Sequence, residues 1–300
     1  MANGISLIGR HGSQGRGAAL TALIMLPPAL AVFTIFVALP IGEAAWYSVF
    51  NWDGFGSPTR FLGLTNFISL FQDAVFHRAL LNNLLIIVVS LSVQLPLALG
   101  MALYLSKREV GTLTFRLIFF LPYILADVVA GLIWRFMFDG DYGPISGISK
   151  ALGGGPIFLV ADKDYAIIAI LVVVIWKYFG FHMMLYIAGL QGIDRELYQA
   201  AEIDGASRFQ RFRYITVPQL APMIRLSIFF AVIGSLQFFD MVVPLTGGGP
   251  FNTTHTMVTF LYYLGITRMR VGFGSAVGVI LFVICVAFAF GYRRLFMRND

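Results

Sequence analysis

The sequence predicts an all-α protein that crosses a membrane several times. Hydrophobic residues make up 58% of the 300-residue chain and charged residues only 12%, whereas a soluble domain has about 25% charged residues. Long apolar runs recur along the chain, and each can span a bilayer as a helix at about 1.5 Å per residue. The basic residues lie at the ends of these runs, a pattern that indicates membrane topology rather than nucleic-acid binding.

The apolar runs predict about six transmembrane helices. The first begins at residue 18, is apolar to residue 39 and ends near Phe50. We interpret it as an uncleaved helix, because the apolar core of a signal peptide is shorter. Prolines inside the runs are tolerated as kinks where neighbouring helices pack. The other predicted spans are residues 80–105, 115–138, 165–190, 223–244 and 273–292.

The segments between the spans are polar and rich in turn residues. Residues 1–17 form a Gly-rich tail, and residues 51–79 form an external segment with a short interfacial helix. Glycine-rich turns are predicted at residues 153–156 and 247–250, and an amphipathic stretch at 254–265 precedes the last span.

The densest polar stretch between two apolar runs lies between the fourth and fifth spans, and its pattern predicts two short helices. Asp194 can cap the first helix and Ser207 the second. Gly205 lies between them, where it permits a left-handed turn that a side chain would resist. Pro218 and Pro222 are expected to end the second helix before the next span.

The same stretch carries a spaced set of small, apolar and acidic residues: Ala200, Ala201, Asp204, Gly205, Ala206, Phe212, Ile215, Pro218, Leu220 and Pro222. This set resembles the EAA loop of importer-type ABC transporter permeases. In that family the loop forms the coupling helix, which docks into a groove of a cytoplasmic ATPase subunit. This chain has Gln199 where the family usually has Glu, and Asp194 where Pro is common.

The resemblance implies that residues 194–218, the EAA-like loop, couple this chain to an ATPase. The residues implied to make that contact are Gln199, Ala200, Ala201, Asp204, Gly205, Ala206, Phe212 and Pro218. Residues 61–67 also resemble the family, specifically the permease type of sugar and glycerol-phosphate systems. The implied solute is therefore a sugar, glycoside or related polyol.

The resemblance further implies the ABC type-1 importer permease fold and its assembly. The implied partners are a second homologous permease subunit, two cytoplasmic ATP-binding subunits, an extracytoplasmic solute-binding protein and the lipid membrane. The corresponding division of the chain is an N-terminal tail at 1–17, a first helix with an external segment at 18–79, a permease core at 80–292 and a C-terminal tail at 293–300.

The Lys and Arg residues predict the orientation. Most of those that flank the spans fall on the side that holds both chain ends and the EAA-like loop. Because cytoplasmic loops carry the excess of Lys and Arg, both termini and this loop are expected in the cytoplasm, with the protein in the plasma (inner) membrane.

Motifs for catalysis are absent from the sequence. It contains no GxxxxGK[ST], HExxH or GxSxG pattern, and its four His residues are dispersed. The single Cys285 cannot form an internal disulfide. We therefore expect no enzymatic activity, cofactor or metal in this chain, with ATP hydrolysis left to a partner subunit.

Three charged residues fall inside predicted spans: Asp127, Lys177 and Asp240. A charge at bilayer depth costs about 2.5–3.5 kcal/mol and usually faces a cavity or a partner. These residues either line a polar pathway and contact the solute, or form a buried ion pair of Lys177 with Asp127 or Asp240. If Lys177 faces the pathway unpaired, an anionic glycoside or glycerol phosphate becomes a candidate solute.

Aromatic side chains are further candidates, because a flat ring packs against the apolar face of a pyranose. The aromatic candidates are Trp134, Trp176, Tyr178, Phe238 and Phe239, with Asn83 and Gln237 as hydrogen-bond partners. The structural alternative is that they face lipid or the core, as most rings do in a chain with 29 Phe residues.

Two other function classes remain open from the residues alone. A secondary transporter driven by an ion gradient would explain the charges inside the spans, but not the EAA-like loop, and we find no convincing internal repeat. A membrane-embedded enzyme would require a catalytic constellation.

Overall fold

The computed structural model describes residues 11–106 and 110–296, except for the side chains of residues 11–20 and 22. Within these ranges the regular structure is helical apart from one antiparallel pair, β1 (Phe50–Asn51) and β2 (Arg60–Phe61), in which Phe50 is paired with Phe61. Four of the basic residues behind the predicted orientation lie outside the described residues: Arg10, Lys107, Arg108 and Arg298. The side chain of Arg16, which also contributed, is not described.

The first half of the described chain contains α1 (His11–Phe33, Thr34–Ala38 and Leu39–Tyr47 in one continuous helix), α2 (Thr65–Phe71), α3 (Ala74–Leu105), α4 (Thr112–Ile124), α5 (Asp127–Met137) and α6 (Pro144–Ala151). The second half contains α7 (Ala166–Gln191), α8 (Arg195–Ile203), α9 (Arg208–Leu236), α10 (Val242–Leu245), α11 (Met257–Thr267) and α12 (Val271–Phe296).

Five of these helices are long and apolar enough to cross a membrane, and the bent pair α4–α5 would make a sixth span. The five are Leu23–Tyr47 within α1, together with α3, α7, α9 and α12. The prediction of about six transmembrane helices is therefore confirmed. The amphipathic stretch predicted before the last span is also helical, as α11.

The predicted third span is not one helix, and this expectation was wrong. α4 and α5 meet at an angle of 98°. Leu125 and Ala126 between them have extended backbone, with ψ of 142° and 140°. Extended residues cannot continue the helical hydrogen bonds, so the last carbonyls of α4 need other partners. A lysine on α7, described below, supplies them.

The expectation that Pro218 and Pro222 end the second loop helix was also wrong, because α9 runs through both prolines to Leu236. A π-helical turn at Phe212–Thr216 directly precedes Pro218. A proline ring normally clashes with the carbonyl four residues earlier, and here that carbonyl lies in the widened turn. α9 then ends before the predicted limit at residue 244.

α7 lies at the centre of the bundle, and half of its most apolar window is buried. Its buried face packs in two hydrophobic clusters, one with α3 and α5 and one with α3 and α9. Gly180 allows the close approach to α4, because a Cβ at this position would overlap the backbone carbonyl of Phe119. A third cluster joins α2, α3, α11 and α12.

Candidate functional site

A cavity of about 450 Å³ lies between α3, α4, α7 and α9, within the membrane-spanning helices. Its volume is in the range of sites for small organic ligands, about 300–1,000 Å³. Tyr123, Phe230 and Gly234 on its wall are exposed, so the cavity is open on that side of this chain.

Uncharged polar groups form one part of the cavity wall. Ser90 and Gln94 come from α3, His182 from α7 and Ser235 from α9. All four are at most 5% exposed. The Ser90 hydroxyl donates to Gln94 Oε1 over 3.4 Å, and His182 Nδ1 lies 3.1 Å from the hydroxyl of Ser227. Hydroxyl, amide and imidazole groups of this kind can both donate to and accept from hydroxyl groups.

Aromatic rings form the remainder of the wall. Tyr123, Tyr178, Phe181, Phe230 and Phe238 all line the cavity. The rings of Tyr123 and Phe181 stack with centroids 4.8 Å apart, and Tyr178 meets Phe238 edge-on at 6.3 Å. The site therefore combines flat apolar faces with uncharged hydrogen-bonding groups.

An ion pair lies directly behind this wall. Lys177 Nζ is 2.9 Å from Asp127 Oδ1, and the side chains of Lys177 and Asp127 are 1% and 33% exposed. The ammonium also donates to the carbonyls of Pro122, Tyr123 and Leu125 over 3.2, 3.4 and 2.5 Å. These are the carbonyls released where α4 breaks, so Lys177 caps the broken helix.

Asp127 is the first residue of α5, where the helix dipole favours a negative charge. Its second oxygen accepts a hydrogen bond from the Tyr178 hydroxyl over 3.0 Å. The ion pair thus connects the bend between α4 and α5 to an aromatic residue of the cavity wall. Of the two partners that the sequence left open for Lys177, the structure contains Asp127.

The sequence-predicted pathway residues are not all at the cavity. Tyr178 and Phe238 line it, whereas Lys177 and Asp127 lie behind its wall. Asp240 and Gln237 are exposed and follow the end of α9, outside the helical span in which they were expected.

The remaining aromatic candidates pack elsewhere. Trp134 contacts Trp176 edge-on with ring centroids 5.4 Å apart, and both pack against the first hydrophobic cluster. Phe239 packs against Tyr262 on α11 at 5.3 Å.

Asn83 was expected to hydrogen-bond the solute, but the structure places it in a structural contact. It is 2% exposed, and its amide donates to the carbonyl of Ser235 over 2.5 Å. Its Oδ1 accepts from the backbone N–H of Met257 over 2.8 Å. These bonds connect α3 to α9 and α11 and occupy the groups that would otherwise face a solute.

Sequence reasoning missed Ser90, Gln94, His182 and Ser235. A signal for three of them was present: Ser90 and Gln94 are four residues apart in an apolar run, and His182 is four residues after Tyr178. Residues at this spacing share one helix face. That these faces of α3 and α7 meet at one cavity can be seen only in the fold.

The EAA-like loop has the two-helix form that its sequence predicts. The Asp194 carboxylate accepts from the backbone N–H of Glu196 over 3.0 Å and caps α8. Gly205 has a φ of +73°. Ala206 N–H donates to the carbonyl of Ala201 and Gly205 N–H to that of Glu202, over 2.8 and 3.1 Å. This pair of bonds is a Schellman motif, which ends α8 and turns the chain.

Ser207 begins α9 with a capping box, in which its side chain and that of Gln210 bond each other's backbone N–H. The hydroxyl oxygens of Tyr198 and Thr216 lie 2.9 Å apart, and this hydrogen bond joins α8 to α9. A surface groove of about 370 Å³ lies between the two helices. The residues that line it are Ala201, Asp204, Gly205, Ala206, Gln210, Arg211, Tyr214 and Ile215.

The other predicted loop residues are not among those that line this groove. Gln199, Ala200 and Pro218 are exposed, and Phe212 is partly buried at the start of the π-helical turn. Several apolar side chains of the loop are strongly exposed, among them Ile203 at 87% and Phe209 at 73%. Exposed apolar groups of this kind are typical of an interaction surface.

Comparison with known proteins identifies what this chain is similar to. Residues 94–299 match a family model described as "Binding-protein-dependent transport system inner membrane component". The chain is 34% identical to the probable ABC transporter permease protein YurN of Bacillus subtilis, over 91% of this chain and 94% of YurN. It is also 34% identical to the diacetylchitobiose uptake system permease protein NgcF of Streptomyces coelicolor, over 89% of this chain and 79% of NgcF.

The fold is similar to that of a solved structure. A bacterial ABC transporter involved in the import of the acidic polysaccharide alginate superposes with a TM-score of 0.79, covering 94% of this chain and 99% of that chain. The sequence identity is 23%, so the match concerns the fold.

Proposed function

The chain belongs to the family of binding-protein-dependent transport system inner membrane components, which makes it a permease subunit of an ABC importer, and we propose that its solute is a sugar, glycoside or related polyol. The cavity carries this proposal. It offers aromatic faces beside hydroxyl, amide and imidazole groups, which is the chemistry that a saccharide with apolar ring faces and many hydroxyls requires. The diacetylchitobiose permease among the relatives supports this solute class.

Coupling to ATP is proposed to run through the EAA-like loop. Its exposed apolar residues and its groove would receive a cytoplasmic ATPase subunit. α9 begins in this loop at Arg208 and continues without a break to Ser235 in the cavity wall. A displacement of the loop by the ATPase would therefore shift one wall of the cavity, as alternating access requires.

The assembly is proposed to contain a second homologous permease, two ATPase subunits and a solute-binding protein. The open side of the cavity, at Tyr123 and Phe230, supports a second permease there, because a solute in a membrane needs a closed path. The family description supports dependence on a binding protein. The excess of Lys and Arg supports cytoplasmic termini. The proposed segments of the chain are an N-terminal tail at 1–17, a first helix with an external segment at 18–79, a permease core at 80–292 and a C-terminal tail at 293–300.

The alternative of an ion-coupled secondary transporter is not supported. The chain belongs to a family of ABC importer permeases. Of the charges that suggested ion coupling, Lys177 is buried and is paired with Asp127.

Gentle purification of the tagged chain from its native membrane, followed by identification of co-purifying proteins, tests the assembly. We expect an ATPase subunit and a second permease. Uptake into vesicles should then require ATP and persist when a protonophore collapses the proton gradient. Uptake that stops with the protonophore and continues without ATP would contradict the proposal.

A further inference from the structure

The wall of the cavity carries no fixed charge. Among the described residues that line it, none is Lys, Arg, Asp or Glu. Its polar members are the hydroxyls of Ser90 and Ser235, the Gln94 amide, the His182 imidazole and the tyrosines. A buried anionic group needs a cation or several hydrogen-bond donors to offset its desolvation, whereas an uncharged hydroxyl needs one or two hydrogen bonds.

The buried ammonium of Lys177 does not face the cavity. Lys177 is 1% exposed, and its ammonium is committed to Asp127 and to the carbonyls of Pro122, Tyr123 and Leu125. An ammonium has only three protons to donate, so these acceptors account for its capacity. Asp127 cancels its charge at 2.9 Å, and the pair presents no net charge to the wall.

His182 is the one lining group in the described chain that could become a cation. It is 3% exposed, and its Nδ1 lies 3.1 Å from the Ser227 hydroxyl. A neutral imidazole can both donate to and accept from a hydroxyl. Its surroundings therefore suit an uncharged partner.

From these contacts we propose that the solute is an uncharged saccharide, without carboxylate, phosphate or sulfonate groups. This inference rests on the proposed function and narrows it. The proposed solute differs in charge from the acidic polysaccharide alginate, which a structurally similar transporter imports. The Lys177–Asp127 pair is the structural device that keeps the cavity neutral.

The test uses the complete transporter with its native binding protein in liposomes. ATP-dependent uptake is measured for maltose, lactose and N,N′-diacetylchitobiose, each beside a matched derivative that carries a carboxylate in place of one CH₂OH group. We expect uptake of at least one uncharged sugar, at least about 10-fold faster than uptake of its carboxylate partner. Binding of the same pairs to the complex without the binding protein isolates the choice made by the cavity.

A variant that leaves Lys177 without its counter-ion tests the role of the ion pair. Asp127→Asn leaves the Lys177 charge uncompensated beside the wall, so the preference for the uncharged sugar should fall about 10-fold. The double variant Lys177→Met with Asp127→Asn removes both charges and should restore the preference. Should Asp127→Asn fail to fold, the double variant and the wild-type pairs still decide the question.

The outcomes separate the two proposals. ATP-dependent uptake of a carboxylate derivative as fast as, or faster than, its parent sugar would overturn the uncharged solute while the proposed function stands. Loss of that uptake in the double variant would further identify Lys177 as the contact for the anion. Absence of ATP-dependent uptake for every sugar and derivative would count against the saccharide function itself, and the inference would fall with it.

Discussion

Gly205 illustrates how a single residue shapes the EAA-like loop. Its φ of +73° lies in the left-handed region, and a Cβ built on it would have no neighbour within 4 Å. Space is therefore not the reason for glycine at this position. The reason is backbone conformation, because a side chain in the left-handed region costs about 1–2 kcal/mol per residue.

We therefore predict that Gly205→Val reduces uptake by about 10-fold or more, because a β-branched residue resists this φ and shifts α8 away from α9. ATP hydrolysis and membrane insertion should persist, so the ratio of sugar transported to ATP hydrolysed should fall. The matched control is Gly205→Asn, since Asn tolerates the left-handed region, and it should transport at close to the wild-type rate. Normal transport by Gly205→Val would refute the role given to this turn.

Residues whose role depends on near neighbours could be predicted from the sequence. The caps of Asp194 and Ser207 and the turn at Gly205 depend on bonds within a few residues. The partner of Lys177 could not be predicted, because Asp127 lies 50 positions away and Asp240 was equally plausible from composition. Only the break of α4 brings Asp127 and the free carbonyls to the same ammonium.

At the scale of elements, Pro218 and Pro222 were wrongly expected to end a helix, whereas prolines inside the other runs were correctly expected to be tolerated. Pro40, Pro96 and Pro218 each lie two residues after a π-helical turn, and all three helices continue through them. In the sequence, a proline that follows a helix end looks the same as a proline that follows a widened π-helical turn. The true break, at Leu125 and Ala126, has no proline in it. Tertiary contacts, rather than proline, therefore decide where a span is interrupted.

Helix packing offers a matched pair of glycines for a test at this scale. A Cβ on Gly180 would overlap the carbonyl of Phe119, whereas a Cβ on Gly100 would meet no atom within 4 Å. We predict that Gly180→Ala separates α7 from α4 and destabilises the protein by about 1–3 kcal/mol. Gly100→Ala should be neutral or slightly stabilising, since alanine favours helix.

Thermal unfolding of both variants in the same detergent measures this difference. The midpoint should fall for Gly180→Ala and stay level or rise for Gly100→Ala. Equal midpoints for the two variants would mean that the α4–α7 contact relaxes at little cost, and that Gly180 is not what sets their distance.

At the scale of the whole molecule, a buried polar segment connects the two halves of the bundle. Asn82 on α3 donates to the carbonyls of Thr253 and His255, both over 2.8 Å. His255 is 2% exposed and packs against Gly248, where a Cβ would overlap the imidazole. The segment between α10 and α11 is thereby bound to α3, one of the helices that form the cavity.

His255 should make the stability of this connection pH-dependent. Burial lowers the pKa of His255 from its ordinary value of 6.5 to about 4. Because the unfolded chain binds the proton more readily, stability is fully present above pH 6.5 and is lost as pH falls toward 4. Within this window the slope should approach about 1.4 kcal/mol per pH unit. Unfolding midpoints measured from pH 7.5 to 4.5 should fall less in His255→Gln than in the wild type, whereas His77→Gln, at an exposed site, should follow the wild type.

The cavity and the loop together predict how transport can be blocked without damage to the fold. Gly234 lies on the cavity wall, and a Cβ there would meet no atom within 4 Å. A tryptophan at this position has room in the cavity of about 450 Å³ and would occupy much of the space for a solute. Because Gly234 is exposed and unstrained, the substitution should leave the unfolding midpoint of the chain within a few degrees of the wild type.

We therefore predict that Gly234→Trp abolishes uptake while ATP hydrolysis and co-purification of the partner subunits persist. Gly100→Trp, at an equally open helical site that does not line the cavity, is the matched control and should transport normally. Loss of the partner permease from Gly234→Trp would instead indicate that Gly234 itself lies in the subunit contact that closes the open side of the cavity. Undiminished uptake would mean that the solute crosses elsewhere, because α9 can transmit motion from the loop to the solute only if the cavity is on the path.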